Sequence, residues 1–131
     1  MIKGFGTDIV EICRIERLIE KYSAHFLEKV FTPSEITYCS KMANPAIHFA
    51  GRWAAKEAFY KALPISCQKH SNWKSIEIIK AEAGKPQIQI CTNILCNSLE
   101  KAGITVYHLS ISHERKYCIA SVILEDVAID R

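Results

Sequence analysis

The residues best able to do chemistry lie in one stretch, residues 51–63, GRWAAKEAFYKAL. A single acid, Glu57, stands among Arg52, Lys56 and Lys61. Residues four apart share a helix face, so Trp53, Glu57 and Lys61 form one line, with Arg52, Lys56 and Tyr60 beside it. One carboxylate among bases suits Mg²⁺ together with phosphate. The cation takes one or two protein carboxylates, several waters and phosphate oxygens, and the bases neutralise the rest of the phosphate charge. By itself the helix also fits a solvated face, with Glu57 and Lys61 an exposed pair worth about 0.3–0.5 kcal/mol. A metal site needs a second carboxylate from elsewhere.

Asp8, in GFGTDIVEICR, is the candidate. It follows Gly4 and Gly6, which permit close backbone approach. It could equally cap the helix that follows. In SISH, Ser110 and Ser112 alternate with Ile111 and share a strand face. His113 ends that strand, where it is either merely exposed or in reach of a phosphate or a reacting oxygen. Gly84-Lys85-Pro86 is a turn by composition alone. Lys85 at its tip could meet phosphate as a point charge.

These residues need elements to position them. IKGFGTDIV reads as a strand. A helix begins around Glu11, with Ile12, Ile15, Leu18, Ile19 and Tyr22 as one apolar stripe. Thr32, Pro33 and Glu35 predict an N-cap, a first helical residue and a capping box. A third helix starts with Asn44 as cap and Pro45 as first residue, and Pro64 ends it. Its Ala50, Ala54, Ala58 and Ala62 form a small-residue stripe that can press on a sheet. Gly51 costs it roughly 1 kcal/mol against Ala, which predicts tight packing on another backbone. SIEIIKAEAGKPQIQI predicts a hairpin around residues 84–86. TNILCNSLEKAG predicts a short helix capped by Thr92 or Asn93 and closed by Gly103. ITVYHLSISH and KYCIASVILE predict two strands joined at residues 113–116. The order indicates an α+β fold, a mainly antiparallel sheet packed by helices.

The chain has 131 residues, which argues for one domain over residues 1–131. It is 49% hydrophobic and 24% charged, ordinary for a folded soluble chain. No apolar run approaches the roughly 18 residues of a membrane span. The N-terminus lacks a signal peptide's apolar stretch, so a cytoplasmic location is expected. A net charge of +3 is too small to indicate nucleic-acid binding. The six cysteines include no C-x-x-C pair, which excludes zinc-type spacing and predicts reduced packing cysteines.

Together GTDIVEICRI, FTPSE, FAGRWAAKEAFYKAL, GKP and LSISH resemble the holo-[acyl-carrier-protein] synthases, the small single-repeat members of the 4′-phosphopantetheinyl transferase superfamily. The motifs keep the family's order, and the resemblance covers about residues 2 to 125. It implies Mg²⁺-dependent transfer of 4′-phosphopantetheine from coenzyme A to a serine of apo acyl carrier protein, in support of fatty acid biosynthesis. Adenosine 3′,5′-bisphosphate is the other product. It implies Asp8 and Glu57 as metal ligands, and Lys61 and Lys56 as phosphate contacts. Arg52, Gly84, Lys85, Pro86 and His113 would line the coenzyme A site. The base that takes the serine proton would be Glu57 or a metal-bound water. The family docks its acidic carrier on the first helix, where Arg14 matches the family's arginine. Arg17 and Lys21 follow at i+3 and i+7 and extend the stripe, although the same spacing also fits a solvated charged face. Small family members are homotrimers with coenzyme A between subunits, so His113 would serve a neighbour's metal ligands. One stretch departs from the pattern: PISCQKHSNWKS, residues 64–75, has no glycine and carries His70 and Trp73.

Two other readings share some of these residues. A Mg²⁺-dependent hydrolase of small nucleotides would need the carboxylates and lysines but no docking helix. A nucleic-acid-binding module would use Trp53 and Tyr60 as stacking platforms, against repulsion from Glu57.

Overall fold

The computed structural model describes residues 1–127, so the last four residues of the expected domain lie outside it. β1 (Ile2–Glu11) pairs antiparallel with β5 (Tyr117–Glu125), which pairs antiparallel with β4 (Val106–His113). The sheet order is β1-β5-β4. Side chains alternate across it: Val10, Cys118, Ala120, Val122 and Leu124 are buried, whereas Phe5, Ile9, Tyr117 and Ile119 are exposed on the other face.

α3 (Pro45–Ala62) lies on the buried face. Its alanine stripe, Ala50, Ala54, Ala58 and Ala62, is buried where it meets β1 and β5. The glycines of β1 complete the fit. A methyl group on Gly6 would land on the carbonyl oxygen of Ala58, and one on Gly4 on that of Ala62. Helix backbone and strand backbone are therefore in direct contact. Gly51 has a different reason from the expected one. A methyl there would meet the side chain of Ile111 at 3.2 Å, and no backbone.

α1 (Ile12–Val30) and α2 (Pro33–Ser40) pack around α3. The capping box at Thr32 is present: its N–H donates to Glu35 Oε1 at 2.9 Å, and Glu35 N–H donates to Thr32 Oγ1 at 3.3 Å. α1 kinks at Ser23, whose φ of 49° and ψ of −130° interrupt the helix. Tyr22, expected on the buried stripe, is exposed.

β2 (Ile76–Lys80) and β3 (Pro86–Ile90) form a separate two-stranded sheet, joined through a 3₁₀ turn at Glu82–Gly84. The residues before β2 contain a short helix, α4 (Ile65–Gln68), and α5 (Asn93–Lys101) follows β3. Neither Asn44 nor Thr92 makes a side-chain cap bond; α3 begins instead with the helix-ready geometry of Pro45. All six cysteines are free. Cys39, Cys67 and Cys118 are buried as expected of packing cysteines, but Cys13 and Cys91 are exposed.

Candidate active site

Asp8 sits on the α3-facing side of β1, two residues beyond Gly6, so the backbone contact that seats the helix also carries Asp8 to the helix's last turns. Lys61 Nζ donates to Asp8 Oδ1 at 2.9 Å. The Asp8 side chain is only 13% exposed and that of Lys61 is 50% exposed. Glu57 lies one helical turn before Lys61. Burial and then the charge of Asp8 raise its carboxyl above the usual range, while Lys61 and Arg14 act against the shift. Two carboxylates that repel each other share one half-exposed lysine. The cations near them, Lys61 and Arg14, are exposed to water that screens them, so the pair suits a further cation. Among the described residues no cluster of three or more His, Cys, Asp or Glu exists. Two carboxylates alone fit Mg²⁺ completed by water and phosphate better than a cage built by protein.

A second group lies further along the sheet. The Arg52 guanidinium stacks 4.5 Å from the centre of the Tyr38 ring, with Lys80 Nζ at 5.8 Å and Lys41 Nζ at 6.0 Å from the same ring. His48 packs edge-on against Tyr38. Burial, then Arg52, His113 and Lys80, lower its proton affinity. Arg52 Nε is buried with no hydrogen-bond partner within the chain. The Gly84-Lys85-Pro86 turn joins this group through Lys80, which pairs with Pro86. Gly84 has a φ of 75°, open to glycine and strained for other residues.

His113 belongs with Arg52 and His48 and not with Asp8. Ile111 and Asp8 both register with Ala120, so His113 lies two strands across from Asp8 and two residues along. Strand spacing then separates the two Cα atoms by roughly 12 Å. Arg14, Arg17 and Lys21 are all exposed on α1. Arg14 lies near enough to act on Glu57, Arg17 pairs with Glu11 at 3.5 Å, and Lys21 lies over Tyr22.

The expectation for Lys56 is corrected. Its side chain is 2% exposed. Nζ lies 2.8 Å from Glu35 Oε1 and donates to the carbonyls of Val30, Trp73 and Ile76 at 3.1, 2.7 and 3.0 Å. An ammonium has three donors. All are used, so Lys56 is a structural anchor. Burial lowers its proton affinity and Glu35 partly restores it.

Beside Glu57 a cavity of about 380 Å³ opens between α3 and residues 71–76, with Phe59, Tyr60, Trp73 and Ile76 in its walls. Trp73 stacks on Trp53 at 4.4 Å. Trp53 is thereby committed to packing, which removes one of the two stacking platforms a nucleic-acid module would use. Sequence patterns did not point to Tyr38, Lys41, His48 or Lys80, because the group is drawn from α2, α3 and β2, and no single element's spacing links all four. Trp73 carried a signal, its bulk in a loop without glycine.

Comparison with known proteins accords with this geometry. The sequence profile of the 4′-phosphopantetheinyl transferase superfamily matches residues 4–122. The holo-[acyl-carrier-protein] synthase of Halothermothrix orenii is 47% identical over 127 residues, which is 96% of this chain and 99% of that protein. The crystal structure of holo-[acyl-carrier-protein] synthase from Neisseria meningitidis superposes with a TM-score of 0.83 at 34% identity, covering 95% of this chain and 99% of that one. The Bacillus anthracis synthase in complex with CoA (3′,5′-ADP) superposes with a TM-score of 0.78 at 32% identity, covering 97% and 99%. With the profile spanning both acidic residues, the glycine seam and the β4–β5 hairpin, the chain belongs to the 4′-phosphopantetheinyl transferase superfamily.

Proposed function

We propose that the protein is a holo-[acyl-carrier-protein] synthase, a single transferase domain that moves 4′-phosphopantetheine from coenzyme A to a serine of apo acyl carrier protein. The products are the holo carrier used in fatty acid synthesis and adenosine 3′,5′-bisphosphate. The observation that carries this reading is the Asp8–Glu57–Lys61 cluster, two repelling carboxylates and one exchangeable lysine at the edge of a cavity.

Asp8 and Glu57 would hold Mg²⁺, which supplies charge neutralisation across the pyrophosphate when bound. Lys61 is half exposed and can turn from Asp8 to a phosphate oxygen. The serine proton needs an acceptor: Glu57, whose proton affinity is raised, or water. Arg52, whose guanidinium lies with Lys80 at the Tyr38 ring, would take the 3′-phosphate together with His113 and Lys85, while Gly84 and Pro86 shape the turn around the adenosine.

Asp8 and His113 are separated within one chain. Phe5, Ile9, Tyr117 and Ile119 leave the outer sheet face apolar and exposed. Both features support a homotrimer in which His113 completes a neighbour's site. Arg14, Arg17 and Lys21 form the docking stripe for the acidic carrier. No helix of the described residues is long and apolar enough to cross a membrane.

Incubation with coenzyme A, Mg²⁺ and apo carrier tests the function. The carrier should gain the mass of phosphopantetheine. Release of nucleotide with no change in carrier mass would instead indicate a hydrolase.

A further inference from the structure

Three cations gather at the Tyr38 ring of α2. Arg52 comes from α3, Lys80 ends β2, and Lys41 directly follows α2. Like charges collected at one ring repel each other, so the elements that carry them need a fastening. The main sheet does not hold β2 through a strand ladder, because β2 pairs only with β3.

The buried Lys56–Glu35 pair touches all three elements, each time one step inward from the ring. Nζ of Lys56 lies 2.8 Å from Glu35 Oε1. On α2, Glu35 stands one helical turn before Tyr38. On α3, Lys56 stands one turn after Arg52. On β2 the pair grips the backbone. The Ile76 carbonyl accepts from Lys56 Nζ at 3.0 Å, and Ile78 N–H donates to Glu35 Oε2 at 2.8 Å, two residues before Lys80. Between these two bonds, Thr32 Oγ1 at the start of α2 donates to Glu77 Oε2. Glu35 Oε1 also accepts from Thr32 N–H. One ion pair thus sets α2, α3 and β2 against one another, and the position of Tyr38, Arg52 and Lys80 follows from it.

We propose that Lys56 and Glu35 are positioning residues for anion recognition: they hold the Tyr38–Arg52–Lys80 group together against its own repulsion and so set the preference for a donor with a 3′-phosphate. The proposal rests on the reading of that group as the 3′-phosphate site. A fold merely weakened by loss of the pair would handle every donor worse. A displaced anion site would penalise only the donor that uses it.

The full chain, with Mg²⁺ and apo acyl carrier protein, should be given coenzyme A or 3′-dephospho-coenzyme A, which lacks only that phosphate. Wild-type kcat/KM should be at least about tenfold higher for coenzyme A. Arg52→Ala should bring the ratio close to one. Glu35→Gln combined with Lys56→Met removes both charges and keeps both shapes. It should lower the ratio by at least about fivefold through a raised KM for coenzyme A, with kcat/KM for the dephospho donor within about twofold of wild type. A folded double variant with the wild-type ratio overturns the proposal, and so does an equal loss with both donors. If the double variant does not fold, Glu77→Ala cuts the tie to Thr32 at a half-buried position. A ratio lowered by about twofold or more then supports the proposal, and an unchanged ratio overturns it. Equal use of both donors by wild type and Arg52→Ala overturns the 3′-phosphate reading, and the proposal with it. A ratio lost in Arg52→Ala but kept in the folded double variant overturns only the positioning role.

Discussion

Lys56 and Lys61 stand five residues apart on α3, and each meets a carboxylate at nearly the same distance, 2.8 Å to Glu35 and 2.9 Å to Asp8. Their surroundings separate them. The Lys56–Glu35 side chains are 2% and 0% exposed, and those of Lys61–Asp8 are 50% and 13% exposed. In the buried pair every donor of the ammonium is occupied, so a ligand could enter only by stranding charge in the interior. In the open pair water screens the attraction, and exchanging the partner costs little. The same two functional groups thus serve as a fastening in one region and as a ligand site in the other. Local dielectric and access decide which.

The largest expected effect breaks the fastening. Lys56→Met leaves Glu35 charged and buried and should cost about 3–5 kcal/mol in urea unfolding. Lys61→Met should cost no more than about 1 kcal/mol while transfer falls sharply. Equal losses of stability would erase the distinction between the two regions.

A smaller effect separates the glycines of the seam from that of the helix. Gly6→Ala drives a methyl into the Ala58 carbonyl, so β1 and α3 must part, at about 3 kcal/mol by calorimetry. Asp8 would move with its strand. Gly51→Ala meets only the Cγ2 methyl of Ile111 and gains helix propensity, so it should stay within about 1 kcal/mol of wild type.

The smallest effect lies in the open region and depends on pH. The folded-state proton affinity of Glu57 is raised by burial and by Asp8, from an ordinary pKa of 4.5. The folded chain therefore binds that proton more tightly than the unfolded chain. The stability this gives is fully present below the ordinary value and is lost as pH rises through the raised one. At pH 7 the charged Glu57 opposes folding, and Glu57→Gln should raise the melting temperature of the metal-free protein. Partial exposure keeps the gain under about 1 kcal/mol, and it should vanish below about pH 4. Added Mg²⁺ should stabilise wild type and not this variant. A variant less stable than wild type at pH 7 without metal would show that Glu57 is held by attraction, not repulsion.

How much of this was legible in the sequence follows the same division. The alanine stripe, Gly4 and Gly6, and the Thr32–Glu35 capping box depend on spacing within one element, and spacing is visible in a string of residues. Asp8, Glu57 and Lys61 could be joined because family motifs bridge the elements that carry them. Lys56 could not be told from Lys61, since both stand near the single acid Glu57 on one helix. Only the packing of Val30, Trp73, Ile76 and Glu35 around it distinguishes them. The kink at Ser23 and the detachment of β2–β3 into their own sheet were equally hidden, because each is set by tertiary contacts and not by local propensity. The Arg52–Tyr38–Lys80 group draws on α3, α2 and β2, and no single segment announces it.

The central claim is that the open cluster performs the chemistry. Glu57→Gln tests it most directly, because it keeps the shape of the side chain and removes its charge. The measurement is the initial rate at which the mass of apo acyl carrier protein rises in coenzyme A and Mg²⁺, at a temperature where both proteins are folded. The rate should fall by about 10²-fold or more. A folded variant that modifies the carrier at near wild-type rate would contradict the assignment of Glu57 to the metal and the reaction.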